Sequence, residues 1–497
     1  MKRSFPVAVV MTLILVLVLS MTVTASSTTK NLVSNFTLVN TTTEDAQGLI
    51  SYIKEDGSEW TGSGYTDFGP GMSHELVAGG QLVVRQYADT LEAGRGSVVV
   101  SANVPLGAVV QMRLAPGDTS LPTAGAYLAF NGGSSRFYLP LVQAKRTTST
   151  GLANTQIMVQ NVGDTAIDAT IDLTADPSCT TCTPTTHSVV ITDLAVGATY
   201  FYDLADDAAL TNWTGSAVVN AGVDKVAVVV NSFNGANGLR TYNGFAEEQI
   251  GPAWGIPLFA SKLSNGLNTS VAVQNLSTTA LAIGDLDLDC GEFTMSNTVA
   301  IPQYGSFSFN PVNDIPAVFP TNWQGACTID AGTNDVVAFV IMRRIGGSNG
   351  DQAAYEALNL NTVASKLYVP LAAKLLPNGF ATSIVVQNLS DTAVTFDAHW
   401  KVSAAECLAA TTDCVDYDEV GLVIPANGNY TWNLRMSTGG FPGMAAGWQG
   451  SLEIVPVAGS APIAGYTVLS NLVNSPGDNY RAHVLLVEEV PNNGIDY

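Results

Sequence analysis

The sequence repeats itself four times, and this internal period constrains the fold more than any other feature. Three segments share a block ending in Gln-Asn, namely Ile157–Asn161, Val271–Asn275 and Ile384–Asn388. A looser copy occupies Phe36–Asn40, and the four asparagines are 121, 114 and 113 residues apart. A period of this length is that of a whole domain, so the pattern predicts four tandem domains.

Further blocks follow in the same order within each repeat. A Trp-x-Gly motif begins at Trp213, Trp323 and Trp448, and the first repeat has Gly94 where the tryptophan is expected. An apolar strand comes next, and an aromatic residue leads the last strand of each repeat. These aromatic residues are Tyr127, Tyr242, Tyr355 and Tyr480. Blocks containing Pro-Leu open the later repeats, at Tyr138–Leu141, Gly255–Leu258 and Tyr368–Leu371.

Within each repeat the segments are typical of short β-strands. They are rich in Val, Ile, Thr, Tyr and Phe, and Gly, Asn, Asp, Ser and Pro separate them. We therefore predict an all-β protein of four tandem immunoglobulin-like β-sandwich domains after a signal peptide. The predicted boundaries are 1–25 for the signal peptide, then 26–135 (the divergent first repeat), 136–252, 253–364 and 365–497.

The connections between repeats are short. The opening block of the next repeat begins only 11, 13 and 13 positions after the closing tyrosine of the one before. Short linkers limit hinge motion, so we expect a semi-rigid rod or a curved string of four modules.

The first 25 residues have the pattern of a secretory signal. Lys2 and Arg3 precede an apolar run from Val7 to Leu19, and Val23 and Ala25 suit cleavage after Ala25. The run is short for a membrane span, although an uncleaved anchor remains the alternative. No second run of spanning length follows, so we expect no membrane span after cleavage.

The charge balance is strongly acidic. The formal net charge is −22, which argues against nucleic acid and anionic membranes as partners. The six cysteines form three pairs that are close in sequence, and an even number in an exported chain predicts disulfides. The candidate pairs are Cys179 with Cys182, Cys290 with Cys327, and Cys407 with Cys414. For the Cys-x-x-Cys pair, a functional thiol is the alternative.

The Pro-Leu opening, the Val-Gln-Asn block and the Trp-x-Gly-Ser strand resemble the tandem β-sandwich repeats of large exported bacterial surface proteins. The resemblance spans most of the chain after the signal peptide and is weakest in the first repeat. It implies an extracellular or cell-surface location in bacteria, and it supplies no catalytic residues.

No constellation of residues predicts an enzyme. The four histidines His74, His187, His399 and His483 lie in different repeats at positions that do not correspond. Nucleophile-elbow, zinc-protease and phosphate-loop motifs are missing from the sequence. We therefore predict no catalytic residues, no cofactor and no enzymatic activity.

Three features invite a binding interpretation. The asparagine of each Gln-Asn pair ends a strand, where its side chain starts a turn, and we prefer this structural role. Trp213, Trp323 and Trp448 are candidate ligand-facing aromatic residues, with core packing as the preferred alternative. Calcium binding is a weaker candidate, at Asp285, Asp287 and Asp289, which alternate along one strand, or at Asp413, Asp416 and Asp418.

Repetition without a recognisable site favours a non-enzymatic structural or stalk protein of the cell surface or extracellular space. Its expected partners are other copies of itself or other envelope proteins. The alternative is an adhesin or carbohydrate-binding protein that recognises glycans through loops or a tryptophan-bearing face. Exposure of the three tryptophans distinguishes the two hypotheses.

Overall fold

The secondary structure is entirely β apart from a short 3₁₀ helix at Glu247–Gln249, throughout the part of the chain that the structure describes. This computed structural model describes residues 13–19, 22–23, 30–86, 89–114, 124–148, 151–235, 238–312, 318–344, 352–436, 443–471 and 481–489. The predicted cleavage site at Ala25, the closing Tyr480 and the tail 490–497 lie outside the described residues. No helix in the described ranges is long and apolar enough to cross a membrane.

The strands follow the sequence repeats. Strands β1 (Leu13–Leu19) and β2 (Thr22–Val23) lie within the predicted signal peptide. Repeat 1 contains β3 (Lys30–Asn40), β4 (Gly48–Lys54), β5 (Asp67–Phe68), β6 (Gln81–Arg85), β7 (Gly96–Ala102), β8 (Leu106–Leu114) and β9 (Ala124–Leu128). In repeat 2 they are β10 (Arg136–Ala144), β11 (Arg146–Thr148), β12 (Gly151–Asn161), β13 (Ile167–Ala175), β14 (Thr186–Leu194), β15 (Thr199–Asp203), β16 (Trp213–Asn220), β17 (Val226–Asn234), β18 (Gly238–Asn243) and β19 (Phe245–Ala246).

Repeats 3 and 4 have the same order of elements. Repeat 3 contains β20 (Ala253–Ser261), β21 (Leu267–Asn275), β22 (Asp287–Asp289), β23 (Thr294–Ser296), β24 (Ser306–Phe309), β25 (Trp323–Asp330), β26 (Val336–Arg344), β27 (Gln352–Glu356) and β28 (Leu358–Asn359). Repeat 4 contains β29 (Ala364–Ala373), β30 (Phe380–Asn388), β31 (Val394–Val402), β32 (Tyr417–Ile424), β33 (Asn429–Asn433), β34 (Gln449–Pro456), β35 (Ile463–Asn471), β36 (Arg481–Val484) and β37 (Leu486–Glu489).

Each repeat contributes two antiparallel sheets that enclose a hydrophobic core in a sandwich-like arrangement. We call the sheets that carry the Gln-Asn strand the inner sheets, with orders β2-β3-β8-β9, β11-β12-β17-β18, β24-β21-β26-β27 and β33-β30-β35-β36. The others are the outer sheets, with orders β1-β7-β4-β5, β14-β13-β16-β10-β19, β23-β22-β25-β20-β28 and β32-β31-β34-β29-β37. The prediction of an all-β, sandwich-like chain is confirmed at this level.

The two kinds of sheet differ in how they are buried. Strand β13 of an outer sheet alternates buried and more exposed residues, as expected when one face meets water. Strands β17 and β35 of the inner sheets are buried at every residue. Their sequences are correspondingly rich in apolar residues without alternation, which is typical of a strand covered on both faces.

The second face of each inner sheet is covered by a neighbouring repeat. Met158, Val229, Phe233 and Leu239 of repeat 2 belong to the same hydrophobic cluster as the core of repeat 1. Tyr466 and Val468 of repeat 4 likewise join the cluster that contains the core of repeat 3. The hydrophobic cores therefore extend across the boundaries between repeats.

The four repeats form a closed arrangement, which contradicts the expected rod. The closing strands β9, β18, β27 and β36 contact one another in turn, and β36 also contacts β9. Repeat 4 is joined to repeat 1 by polar contacts as well. The Tyr368 hydroxyl donates to the Thr41 carbonyl at 2.9 Å, and Arg85 forms an ion pair with Glu406. Short linkers restrict hinge motion, but they do not determine the direction in which successive repeats turn.

The serine of the Trp-x-Gly-Ser motif makes one of the contacts that close the arrangement. Ser97 donates to the Gly197 carbonyl at 3.5 Å, and Ser216 donates to the Tyr304 carbonyl at 2.5 Å. Ser451 of repeat 4 donates to the Gly79 carbonyl of repeat 1 at 2.8 Å. The three acceptor residues share a left-handed turn conformation, with φ of 74°, 62° and 64°. One contact is therefore repeated around the chain, and in repeat 3 Ala326 replaces the serine.

The two residues of the Gln-Asn pair have different roles: the asparagine stabilises a turn, and the glutamine contacts the preceding repeat. Each asparagine side-chain oxygen accepts the backbone N–H two residues on, at 3.0, 2.9, 3.0 and 3.1 Å for Asn40, Asn161, Asn275 and Asn388. This agrees with the predicted turn role. The glutamines meet the preceding repeat: Gln160 Nε2 donates to Ser97 Oγ at 2.6 Å, and Gln274 Nε2 donates to the Ala217 carbonyl at 3.2 Å.

Candidate functional site

The tryptophans of the Trp-x-Gly motif differ in their burial. Trp213 and Trp448 are fully buried, and their indole N–H groups donate to the carbonyls of Pro184 and Val415. Trp323 is partly buried, and its ring packs against Phe259, Phe293 and Phe319. The burial of Trp213 and Trp448 favours core packing over the ligand-facing interpretation, whereas Trp323 is only partly buried.

The glycine of the same motif leaves room for the indole. A Cβ on Gly215 would lie 2.8 Å from the Trp213 ring, and one on Gly450 would lie 2.6 Å from the Trp448 ring. Repeat 1 has Gly94 at the tryptophan position, and the buried Trp60 lies against it from another part of the chain. The first repeat therefore also has an indole at this place, and it comes from a residue outside the Trp-x-Gly motif.

The cysteines form the three predicted disulfides. Cys179–Cys182, Cys290–Cys327 and Cys407–Cys414 are bonded, with Cα–Cα distances of 5.5, 4.2 and 6.0 Å. All six cysteines lie in the described ranges, and none is free. In this structure the Cys-x-x-Cys pair is therefore a disulfide and not a pair of reduced thiols.

The acidic residues considered for calcium have separate local partners. Asp285 accepts the Ala282 N–H in a turn before β22, so it does not continue the face that the sequence pattern predicted. Asp287 bonds Ser296, and Asp289 accepts the Gly291 N–H. In repeat 4, Asp416 pairs with Lys401 and Asp418 with His399, while the Asp413 carbonyl accepts a bond from Tyr417. No group of three or more His, Cys, Asp or Glu side chains is arranged to hold a metal within the described ranges.

A cavity lies where all four repeats meet. This axial cavity has a volume of about 660 Å³ and is lined by the segments that follow the four closing strands. The strand registers place one equivalent residue of each repeat in its lining: Leu128, Asn243, Glu356 and Val484. Other lining residues are Phe130, Asn131, Phe137, Phe245, Glu248, Gln249, Trp254, Leu358, Asn359, Asn361 and Thr362.

The polar part of the axial cavity contains two hydrogen-bond acceptors, the Glu356 carboxylate and Asn243 Oδ1. The Glu356 carboxylate accepts the Asn243 backbone N–H at 2.9 Å, and Asn243 Nδ2 donates to the Leu128 carbonyl at 2.9 Å. Asn243 Oδ1 is buried without a hydrogen-bond partner within the described part of the chain. Burial raises the pKa of Glu356 above its ordinary value. A cavity of this kind suits a small ligand with a hydrogen-bond donor and an apolar body.

A second cavity, the inter-repeat cleft, lies between repeats 1 and 2. Its volume is about 440 Å³, and Arg95 of repeat 1 lies over the Phe201 ring at 4.4 Å. The remaining lining comes from repeat 2: Gln156, Val189, Tyr200, Tyr202, Asp203, Asp206 and Asp207. Gln156 Oε1 is buried without a partner in the described residues. Aromatic, amide and carboxylate groups together are typical of sites for hydroxyl-rich ligands.

A hydrogen-bond network fixes one side of this cleft. His187 Nε2 lies 2.8 Å from Asp207 Oδ2, and the Tyr202 hydroxyl donates to the same oxygen at 2.7 Å. Burial opposes ionisation of Asp207, but the bonds from Tyr202, the Ala209 N–H and His187 outweigh it and lower the pKa of this carboxyl. The sequence did not indicate this pairing, because 20 residues separate His187 from Asp207.

The other histidines have partners elsewhere. His74 stacks on Tyr65, with ring centroids 4.5 Å apart, and His399 pairs with Asp418. His483 is buried, and burial lowers its pKa to about 4. The four histidines therefore occupy four separate environments.

No protein-family model matches the chain, and no curated protein shows significant sequence similarity to it. The resemblance to bacterial surface repeats therefore stays a prediction.

Replacing Glu356 by Gln tests the environment of the axial cavity. The raised pKa means that the Glu356 contribution to stability is complete below the ordinary value of 4.5 and is lost as the pH rises through the folded-state value. We therefore expect Glu356→Gln to gain stability relative to the wild type as the pH rises from 4.5 towards 8. Chemical denaturation of the full chain at several pH values measures this difference. Glu248→Gln at the exposed rim is the control, and equal pH profiles for wild type and Glu356→Gln would contradict the assignment.

Proposed function

We propose that the protein is a non-enzymatic architectural component of the bacterial cell surface or extracellular space. In this proposal an N-terminal signal exports the chain, and four immunoglobulin-like domains form one closed building block rather than a stalk. Three disulfides support an oxidising destination. The hydrophobic cores that cross the repeat boundaries support a single rigid unit.

The observation that carries this proposal is the open edge of the outer sheet in repeat 2. Strand β14 ends its sheet, and Val190 on it is 64% exposed. No Lys, Arg, Asp or Glu occurs between Thr186 and Thr192, and the one acidic residue of β14, Asp193, lies next to its end. Most of the edge therefore lacks the charges that normally prevent pairing with another chain. In contrast, strand β32 at the corresponding edge of repeat 4 carries Asp418 and Glu419. We therefore assign β14 as the strand through which copies associate.

Replacing Val190 by Lys tests this assignment. A charge at the centre of the edge strand has to be desolvated when two edges pair, so we expect self-association to weaken by about tenfold or more. Analytical ultracentrifugation over a range of concentrations measures it. Val223→Lys is the matched control, because Val223 is 94% exposed in a turn away from the edge. The assignment would be refuted if the wild type is monomeric at every concentration. It would also be refuted if Val190→Lys associates as strongly as the wild type.

A second candidate function is glycan binding at the inter-repeat cleft. It rests on the lining of the cleft, which combines the Tyr200 ring on one face of β15 with Asp203 and the paired Gln156 on the other face. Aromatic rings stack on sugars, while amide and carboxylate oxygens bind hydroxyl groups. This candidate keeps the adhesin hypothesis but assigns ligand binding to the residues that line the inter-repeat cleft instead of the tryptophans of the Trp-x-Gly motif.

Glycan-array screening of the purified chain tests the second candidate. We expect Tyr200→Ala to reduce any glycan signal by about tenfold or more and Tyr200→Phe to retain it, because stacking needs the ring and not the hydroxyl. A signal that Tyr200→Ala leaves unchanged would place glycan binding elsewhere, and a blank array would count against this function.

A further inference from the structure

The opening strand of repeat 1 has an unusual origin. In the other repeats the opening strands β10, β20 and β29 pair with β16, β25 and β34, the strands that begin at or next to the Trp-x-Gly motif. In repeat 1 the strand equivalent to β16, β25 and β34 is β7, and β1 pairs with it in the position of the opening strand. The register runs without a shift from Leu13 opposite Ala102 to Leu19 opposite Gly96.

Strand β1 differs from the other opening strands in its sequence. Strands β10, β20 and β29 each contain a proline, and their pairing shifts register beside it. Strand β1 is an unbroken aliphatic segment, Leu-Ile-Leu-Val-Leu-Val-Leu. Repeat 1 has no Pro-Leu opening block, and residues 26–29 between the predicted cleavage site and β3 are Ser-Ser-Thr-Thr. The opening position of repeat 1 is therefore filled by a segment of another kind.

The same seven residues form the apolar centre of the predicted signal peptide. Hydrolysis of the Ala25–Ser26 peptide bond would consume one water and release residues 1–25, including β1. One side of β7 would then be a free edge, while its other side stays paired with β4 from Gly48 to Lys54. The remaining repeats would keep their opening strands, because those lie after the cleavage site.

We propose that repeat 1 of the exported chain takes its opening strand from a partner protein. The partner donates an extended aliphatic segment of about seven residues, antiparallel to β7, in the register that β1 adopts here. The inference rests on the export signal of the proposed function and adds a partner-binding site to it.

The surroundings of the vacant position explain why the donor is aliphatic. On β7, Val98 and Val100 are buried, and across the core of repeat 1 the inner sheet contributes the buried Phe36, Leu38 and Val110. A strand placed beside β7 satisfies the free main-chain groups of that edge, and its apolar side chains extend the same core. Residues 490–497 of a second copy contain Pro, Asn and Asp and do not fit this pattern.

The test uses the full chain, secreted with its own N-terminus and purified in its processed form. Mass spectrometry first gives the new N-terminus, which we expect at Ser26. Hydrogen exchange then compares amides of β7 with those of the equivalent strand β16. We expect β7 to exchange about tenfold faster or more, and a synthetic peptide of residues 12–20, with solubilising lysines at its ends, to restore protection. The same peptide with Val16→Pro and Leu17→Pro is the control, because proline cannot donate to the strand ladder.

Each result has a distinct meaning. Retention of residues 13–19 in the secreted chain would overturn cleavage after Ala25 and with it the vacant position, whereas a chain that is not secreted would overturn the export signal itself. A processed chain whose β7 amides are as protected as those of β16, without peptide, would overturn strand donation alone. Strand donation would also be overturned if the proline peptide binds as tightly as the unmodified peptide of residues 12–20. Self-association through β14 is measured separately and can fail or succeed independently of these results.

Discussion

Burial of both faces of the inner sheets determines the arrangement of the whole chain. Strand β17 is apolar from Val226 to Val230 and buried at every residue, so it needs a core on one side and a neighbour on the other. Each inner sheet obtains that neighbour from the adjacent repeat, and the closing strands β9, β18, β27 and β36 meet in the middle. The contact of β36 with β9 joins repeat 4 to repeat 1, so every inner sheet has a neighbouring repeat.

The repeat motifs are understood best as assembly elements. The asparagine forms a turn inside its own repeat, whereas the glutamine beside it and the serine of Trp-x-Gly-Ser bond across a boundary. The contact from Ser451 to Gly79 has the same form as the internal contacts, although 372 residues separate the two partners. The tryptophan and glycine of the same motif serve packing instead. The recurrence of these residues therefore reflects a recurring interface and does not require a recurring ligand site.

Much of the local structure could be predicted from the sequence, because short-range physics determines it. The strands, the asparagine turns and the three disulfides all depend on residues that are close along the chain or on pairs that are easily matched. The closed arrangement was missed, although the unbroken apolar runs at Val226–Val230 and Val336–Ile341 indicate strands covered on both sides. The axial cavity and the inter-repeat cleft could not be predicted, because residues from different repeats form them. For the same reason Trp60 was not recognised as the indole beside Gly94.

The closed arrangement is the central claim, and small-angle X-ray scattering of the secreted chain at low concentration tests it most directly. A compact particle of this chain length has a radius of gyration of about 23 Å, whereas four sandwiches in a string give about twice that value. The account predicts the smaller radius and a single-peaked distance distribution. A radius near the larger value would contradict it, because repeat 4 would then be unable to contact repeat 1.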